Sequence, residues 1–261
     1  MAVPFYPPPT LVSHFALTRP TAADIDALAR IYYDSFSLDP GNTYWWSPDK
    51  DAMFTWMHSR ILCKMQDPSV RHYQVVDISS WKRETVAFAR WDIPDGYEEE
   101  FGKFVSVGES VDVSEVIDTS GDVKVAPTVA PTEEMTSEVA ESIDIPKGAA
   151  PELCRGFFGW LGVMSEKWGA KDMLGLSLLC TAPNYHRQGA AKALVEPMLA
   201  IADRMGLRCY LEATESGRPM YEKLGFGTVD VKDFDLPTLT SDRLRGTFCL
   251  SIMIREPKSP E

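Results

Sequence analysis

The tightest constraint on this chain lies between residues 176 and 205. The run Leu176-Ser177-Leu178-Leu179-Cys180-Thr181 has the length and apolar character of a buried strand. It passes through Ala182-Pro183-Asn184-Tyr185 into His186-Arg187-Gln188-Gly189-Ala190-Ala191-Lys192, where the pattern predicts a helix over 187–205. The first N–H groups of a helix lack intrahelical partners and sit at its positive end. Gly189, Ala190 and Ala191 leave that backbone uncovered, so a bulky anion can approach it. The spacing therefore predicts a pyrophosphate-binding turn. Neither G-x-x-x-x-G-K-[ST] nor G-x-G-x-x-G occurs, which sets aside the Walker loop and the dinucleotide fingerprint.

The rest of the chain supplies elements of both kinds. Alternation predicts an opening strand over 11–19, then a helix started by Thr21 as N-cap with Asp24 at its third position. Its buried face is Ile25, Leu28, Ala29, Tyr32 and Phe36. Ser47-Pro48 predicts the cap and first position of a second helix, with Phe54, Met57, Ile61 and Met65 inward and Pro68 as the stop. Strands are expected over 71–78 and 84–91, and a helix over 151–168. A strand over 173–181, the 187–205 helix and a strand over 208–213 follow. A short helix over 217–223, a strand from Phe226 and a strand over 247–255 complete the order. Pro197 falls inside the longest helix and is expected to kink it. Alternating strands and helices in the second half argue an α/β fold with a mixed sheet.

Residues 95–150 differ in texture. They hold 14 Asp or Glu against three Lys, so most of the formal charge of −12 sits there and the remaining chain is nearly balanced. Few large apolar side chains occur in this stretch, which reads as a flexible acidic insertion or a partly ordered cap. No basic face is available to replace counterions, so nucleic acid is not an expected partner. No leader or membrane-length apolar run is evident, and the expected location is cytoplasmic. Cys63, Cys154, Cys180, Cys209 and Cys249 are widely spaced, and the four histidines lack ligand spacing. Free thiols and no metal site are expected.

The run from Leu176 to Lys192 resembles the acetyl-CoA-binding motif of the GNAT acetyltransferase superfamily, [QR]-x-x-G-x-[GA], and is similar to its fungal members in style. The frame falls on residues 186–191, with His186 where Gln or Arg is usual. A second resemblance lies in Met220-Tyr221-Glu222-Lys223-Leu224-Gly225-Phe226, with Thr214 standing where an Asn is often found. The resemblance covers about 55 residues closely. It implies a single domain over 1–261, built on a mixed, mostly antiparallel central sheet flanked by helices. It also implies acetyl-CoA as cosubstrate, held by Leu178, Leu179, Cys180, Thr181, His186, Arg187, Gln188, Gly189, Ala190, Ala191 and Lys192.

The implied reaction is direct attack of an amine on the thioester in a ternary complex. The resemblance puts Tyr221 as the acid that protonates the leaving thiolate; the competing reading is a core tyrosine packed on Phe226. Strand alternation sets Tyr210 and Glu212 on one face, making Glu212 a candidate base; it could instead pair with Arg208 or Arg218. Cys180 reads as a buried strand thiol rather than a nucleophile. Tyr44, Trp45 and Trp46 are candidates for the wall of a small-amine pocket, or else core cover. The expected function is a small-molecule amine N-acetyltransferase, monomeric or homodimeric. A protein lysine or N-terminal acetyltransferase and a non-catalytic acyl-CoA-binding module are the alternatives.

Overall fold

The computed structural model describes residues 7–9, 11–39, 41–79, 81–102 and 144–258. Seven strands form one sheet in the order β1-β2-β3-β4-β5-β7-β6. They are β1 (Phe15–Thr18), β2 (Val70–Asp77), β3 (Glu84–Asp92), β4 (Leu174–Thr181), β5 (Cys209–Thr214), β6 (Gly227–Asp235) and β7 (Thr247–Arg255). Only β4 and β5 run parallel; the other five neighbouring pairs are antiparallel. The parallel pair needs a crossover, and α4 (Ala190–Met205) supplies it. On the opposite face lie α1 (Ile25–Ser37), α2 (Lys50–Gln66) and α3 (Pro151–Lys167). Short helices α5 (Arg218–Lys223) and α6 (Leu236–Thr240) complete the set. The mixed, mostly antiparallel sheet flanked by helices is the architecture expected.

Two apolar cores follow from strand alternation. Ala87, Ala89, Trp91, Leu174, Leu176, Leu211 and Met253 pack beneath α4, whose Ala193, Leu194, Met198 and Ile201 are buried. Phe88, Leu178, Cys180, Phe234 and Leu250 face α1, α2 and α3. Leu176 and Leu178 would share a face in a regular strand, but here they do not. Leu176 pairs with Trp91 and Leu178 with Arg90, so Ser177 is an extra residue opposite β3. This bulge flips the alternation and bends the strand.

Several boundaries moved for local reasons. The N-cap of α2 is Asp49, whose carboxylate accepts from the N–H groups of Asp51 and Ala52 at 2.9 and 3.3 Å. The Ser47 hydroxyl instead accepts from the Asp49 N–H at 3.2 Å, so Ser47-Pro48 precedes the helix rather than capping it. The Thr21–Asp24 pair forms as expected, the Asp24 carboxylate accepting from Thr21 N at 2.7 Å, but its first turn is a 3-10 segment. Helix α4 starts at Ala190, three residues after the predicted 187, and continues through a buried Pro197. Helix α6 was not anticipated from five residues containing a proline.

The acidic stretch is anchored at both ends, while 103–143 lie outside the described residues, along with most of the predicted insertion. Phe101 is fully buried in the α4-side core, and its carbonyl accepts from the Tyr73 hydroxyl at 2.9 Å. The Arg71 guanidinium donates to the carbonyls of Gly102, Glu98 and Pro68. On the return, the Asp144 carbonyl accepts from Trp56 Nε1 at 3.1 Å. All five cysteines are free thiols. Among the described residues no helix is long and apolar enough to cross a membrane.

One partly buried ion pair closes the end of β7. The Arg255 side chain is 3% exposed and clasps Asp203 of α4 through two bonds of 2.7 Å. Burial alone would raise the Asp203 pKa, but Arg255 and the Lys258 N–H hold it below the usual carboxylate range. Removing one partner strands the other charge, so Asp203→Ala is expected to lower stability by about 3 kcal/mol. Because the folded carboxylate titrates below its unfolded value, the difference should be full at pH 7. It should fade as pH drops below about 4. Urea unfolding of both proteins at pH 7 and pH 3 measures it.

Candidate active site

The bulge at Ser177 organises the centre of the sheet. Strand β5 pairs with β4 only through Leu174–Cys209, Gly175–Tyr210 and Leu176–Leu211. Beyond these, residues 178–181 of β4 pair with β3 alone, and residues 212–214 of β5 pair with β7 alone. The two strands therefore part at their C-terminal ends. Their facing backbone groups have no partner strand there and remain available to a bound molecule.

The glycine turn lies at the mouth of this opening. Gly189 takes φ +86° and Arg187 φ +64°, the left-handed region that a glycine tolerates and other residues resist. The chain thus turns sharply before α4, and the N–H groups of Ala190, Ala191 and Lys192 head the helix. The Lys192 ammonium pairs with Glu196 at 3.2 Å along the helix. His186 is exposed but bends back on the end of β4. Its Nε2 lies 3.0 Å from the Thr181 carbonyl, which also accepts from the Ser35 hydroxyl at 2.9 Å. These contacts tie the end of β4 to α1 and to the turn. Gln188 donates to the Asn184 carbonyl at 3.2 Å and stiffens the loop.

On the α1–α3 side of the opening is a cavity of about 320 Å³. Trp45, Trp46, Phe157, Phe158, Tyr32 and Phe36 give it aromatic walls, and Ser177, Leu178, Glu212 and Thr214 line its sheet side. Trp45 stacks on Phe157 at 5.5 Å and meets Phe158 edge-on at 5.0 Å. Of the three aromatics in the 44–46 loop, Trp45 and Trp46 line the cavity. Tyr44 does not: it turns into the core against Phe157, Phe234 and Phe248, and is 2% exposed. Its ring completes an aromatic cluster there, so the pocket role read for it is corrected.

Glu212 is the carboxylate in this cavity. Burial pushes its pKa up to about 7, with Asp92 adding to the rise and Arg90 opposing it. Tyr210 lies on the same face and, like Arg90, opposes the rise, but burial decides the direction. Neither predicted partner takes Glu212. Arg218 pairs with Glu222 at 3.5 Å, and Glu212 has no ion pair among the described residues.

Tyr221 belongs to α5 and is buried beside β4. Its ring meets Phe226 edge-on at 5.9 Å, and burial, reinforced by nearby Cys180, raises its pKa. The core packing read as an alternative is therefore present, and the hydroxyl lies near the open half of β4. Thr214 accepts from the Gly217 N–H at 3.3 Å, so it caps the approach to α5. Burial pushes the Cys180 thiol well up, which suits an inert strand thiol.

Sequence reading missed Arg60, Arg90 and the α3 aromatics Phe157 and Phe158. They lie on α2, β3 and α3, and only packing brings them to one cavity. Ser177 was read as an ordinary strand residue, yet its hydroxyl accepts from Arg90 Nε at 2.9 Å.

Residues 155–226 match the model described as the acetyltransferase (GNAT) family, from α3 through both motifs to Phe226. The likeness to the GNAT family lies in this segment of the chain. The matched family is one of acetyltransferases. A crystal structure from Corynebacterium glutamicum, named as histone acetyltransferase HPA2 and related acetyltransferase, has the same fold. It superposes with a TM-score of 0.51 at 17% identity, covering 95% of this chain and 98% of that one. A mosquito arylalkylamine N-acetyltransferase like 5b gives a TM-score of 0.51 at 10% identity, over 93% and 99% of the two chains. No curated protein sequence matches the chain. The split between β4 and β5 and the turn before α4 thus lie within the matched GNAT segment.

Proposed function

We propose that this protein transfers the acetyl group of acetyl-CoA to a small primary amine, by direct attack in a ternary complex. The observation that carries this reading is the continuity of three features: a positive-φ glycine turn heading α4, an unpaired half of β4, and an aromatic-walled cavity holding Glu212. Acetyl-CoA supplies an activated thioester. The N–H groups of residues 190–192 suit its pyrophosphate, and Gly189 lets that group approach. A backbone N–H of residues 178–181 on the open edge of β4 is the donor for the carbonyl oxygen as it gains charge. Glu212 takes the proton from the attacking amine, and Tyr221 gives one to the departing sulfur.

A small acceptor suits the site because its volume is about 320 Å³ and aromatic rings from the 44–46 loop and α3 wall it. We also read the chain as one domain with its insertion between β3 and α3, acting in the cytoplasm without a metal.

Calorimetric titration with acetyl-CoA, with NADH and ATP as controls, tests the cofactor claim. Saturable binding to acetyl-CoA alone is expected, followed by amine-dependent thiol release. Gly189→Val places a β-branched residue at φ +86° and is expected to raise the acetyl-CoA Kd by about tenfold or more. Absence of binding at millimolar acetyl-CoA would remove every role assigned here.

A further inference from the structure

The aromatic cavity carries more positive charge than a bare amine would favour. Arg60 of α2 and Arg90 of β3 both line it, against one lining carboxylate, Glu212. Burial lowers the Arg60 pKa, and Arg90 is close enough to lower it further. Asp144, which opposes that effect from outside the cavity wall, is itself pushed up by burial. Two guanidiniums held near one another at low exposure are unfavourable unless an anion joins them.

The donors of both groups remain available. Arg60 lies over the faces of Trp56 and Phe158, at 4.7 and 5.4 Å from the ring centroids. Among the described residues no acceptor takes its N–H groups. Arg90 commits Nε to Ser177 and leaves its terminal nitrogens without a hydrogen bond among the described residues. Such forks match a carboxylate in geometry and charge.

We infer that the acceptor is an amine bearing an anionic group of carboxylate size and an aromatic or bulky apolar body. The reading rests on the acetyl-transfer function proposed above. The anionic group lies at Arg60 and Arg90, the apolar body against Trp45 and Phe157, and the amine toward Glu212. A polyamine, which the acidic insertion could attract from a distance, would bring its second ammonium to the two arginines and be repelled.

The test uses the full chain and pairs of amines that differ by one carboxylate: phenylalanine and phenethylamine, tryptophan and tryptamine, leucine and isoamylamine. The readout is the ratio of kcat/KM within each pair, followed by thiol release. A ratio of about tenfold or more favouring the carboxylated member is expected in at least one pair, the size of effect that one charge-assisted contact gives. In Arg60→Gln and Arg90→Gln the ratio should fall toward one, while Arg60→Lys should keep part of it. Equal or inverted ratios in every pair, or a preference unchanged in both glutamine variants, would overturn the inference.

Calorimetry with the same pairs, in the presence of CoA, separates this claim from the transfer reaction. Tighter binding of a carboxylated member without thiol release would uphold the pocket and reject the transfer reading. No preference in binding, or no binding of any member at millimolar concentration, would reject the pocket.

Discussion

Glu212→Gln is expected to lower kcat/KM at pH 7 by about 10²- to 10³-fold, within the range for loss of a general base. An amine with a pKa of about 10.4 delivers its proton to an ordinary carboxylate at a cost of about 8 kcal/mol. With Glu212 near 7, the gap shrinks to about 5 kcal/mol. Burial in the aromatic cavity is what closes that difference. The wild-type rate should rise with pH through about 7, as the carboxylate ionises, and level off above it. The glutamine variant should lack this limb. A pH–rate profile retaining the limb in the variant would assign the base elsewhere.

Stability gives an independent check on the same residue. A carboxyl whose folded pKa lies above its unfolded value favours folding while protonated. That contribution is full below about pH 4 and is lost as pH rises through the folded value near 7. At pH 8 the wild type therefore holds an unfavourable buried charge that Glu212→Gln removes. The variant should be less active and more stable at pH 8, with the stability gain vanishing toward pH 4. Denaturant melts at the two pH values measure it. A merely structural carboxylate would lose stability on replacement.

The second large effect is expected at Tyr221. Tyr221→Phe should reduce kcat about 10²- to 10³-fold with little change in acetyl-CoA affinity. The phenylalanine keeps the ring that packs on Phe226, so stability should shift by less than about 1.5 kcal/mol. Burial holds the hydroxyl protonated across the working pH range, as a proton donor requires. Single-turnover measurement of thiol release, alongside calorimetry, separates chemistry from binding. A rate within about threefold of wild type would leave Tyr221 as a packing residue and move the acid elsewhere.

Much of the segment leading into α4 was legible along the chain because its groups are local. The turn before α4 depends on one positive-φ glycine and two alanines in consecutive positions. Strand β7 was read with both ends right, since its apolar residues run between a polar turn and a charged end. Boundaries governed by competing side chains were harder. Asp49 outcompeted Ser47 as a cap because its carboxylate reaches two N–H groups. The start of α4 moved to Ala190 because Arg187 and Gly189 take left-handed conformations that period-based reading does not see.

By itself, the sequence determined the order of the strands and longer helices, the glycine turn before α4 and the family motifs, all of which depend on residues within one or two turns of each other. Tertiary structure alone decided that Ser177 forms a bulge, because a strand's register is defined only against its neighbour, here β3. That bulge sends Leu178 to the face opposite Leu176, and the parallel pairing with β5 ends beside it. Tertiary structure also gathered Arg60, Arg90, Phe157 and Glu212 from four separate elements around one cavity. Their charges and rings act on one another only through space, at separations that no local pattern encodes.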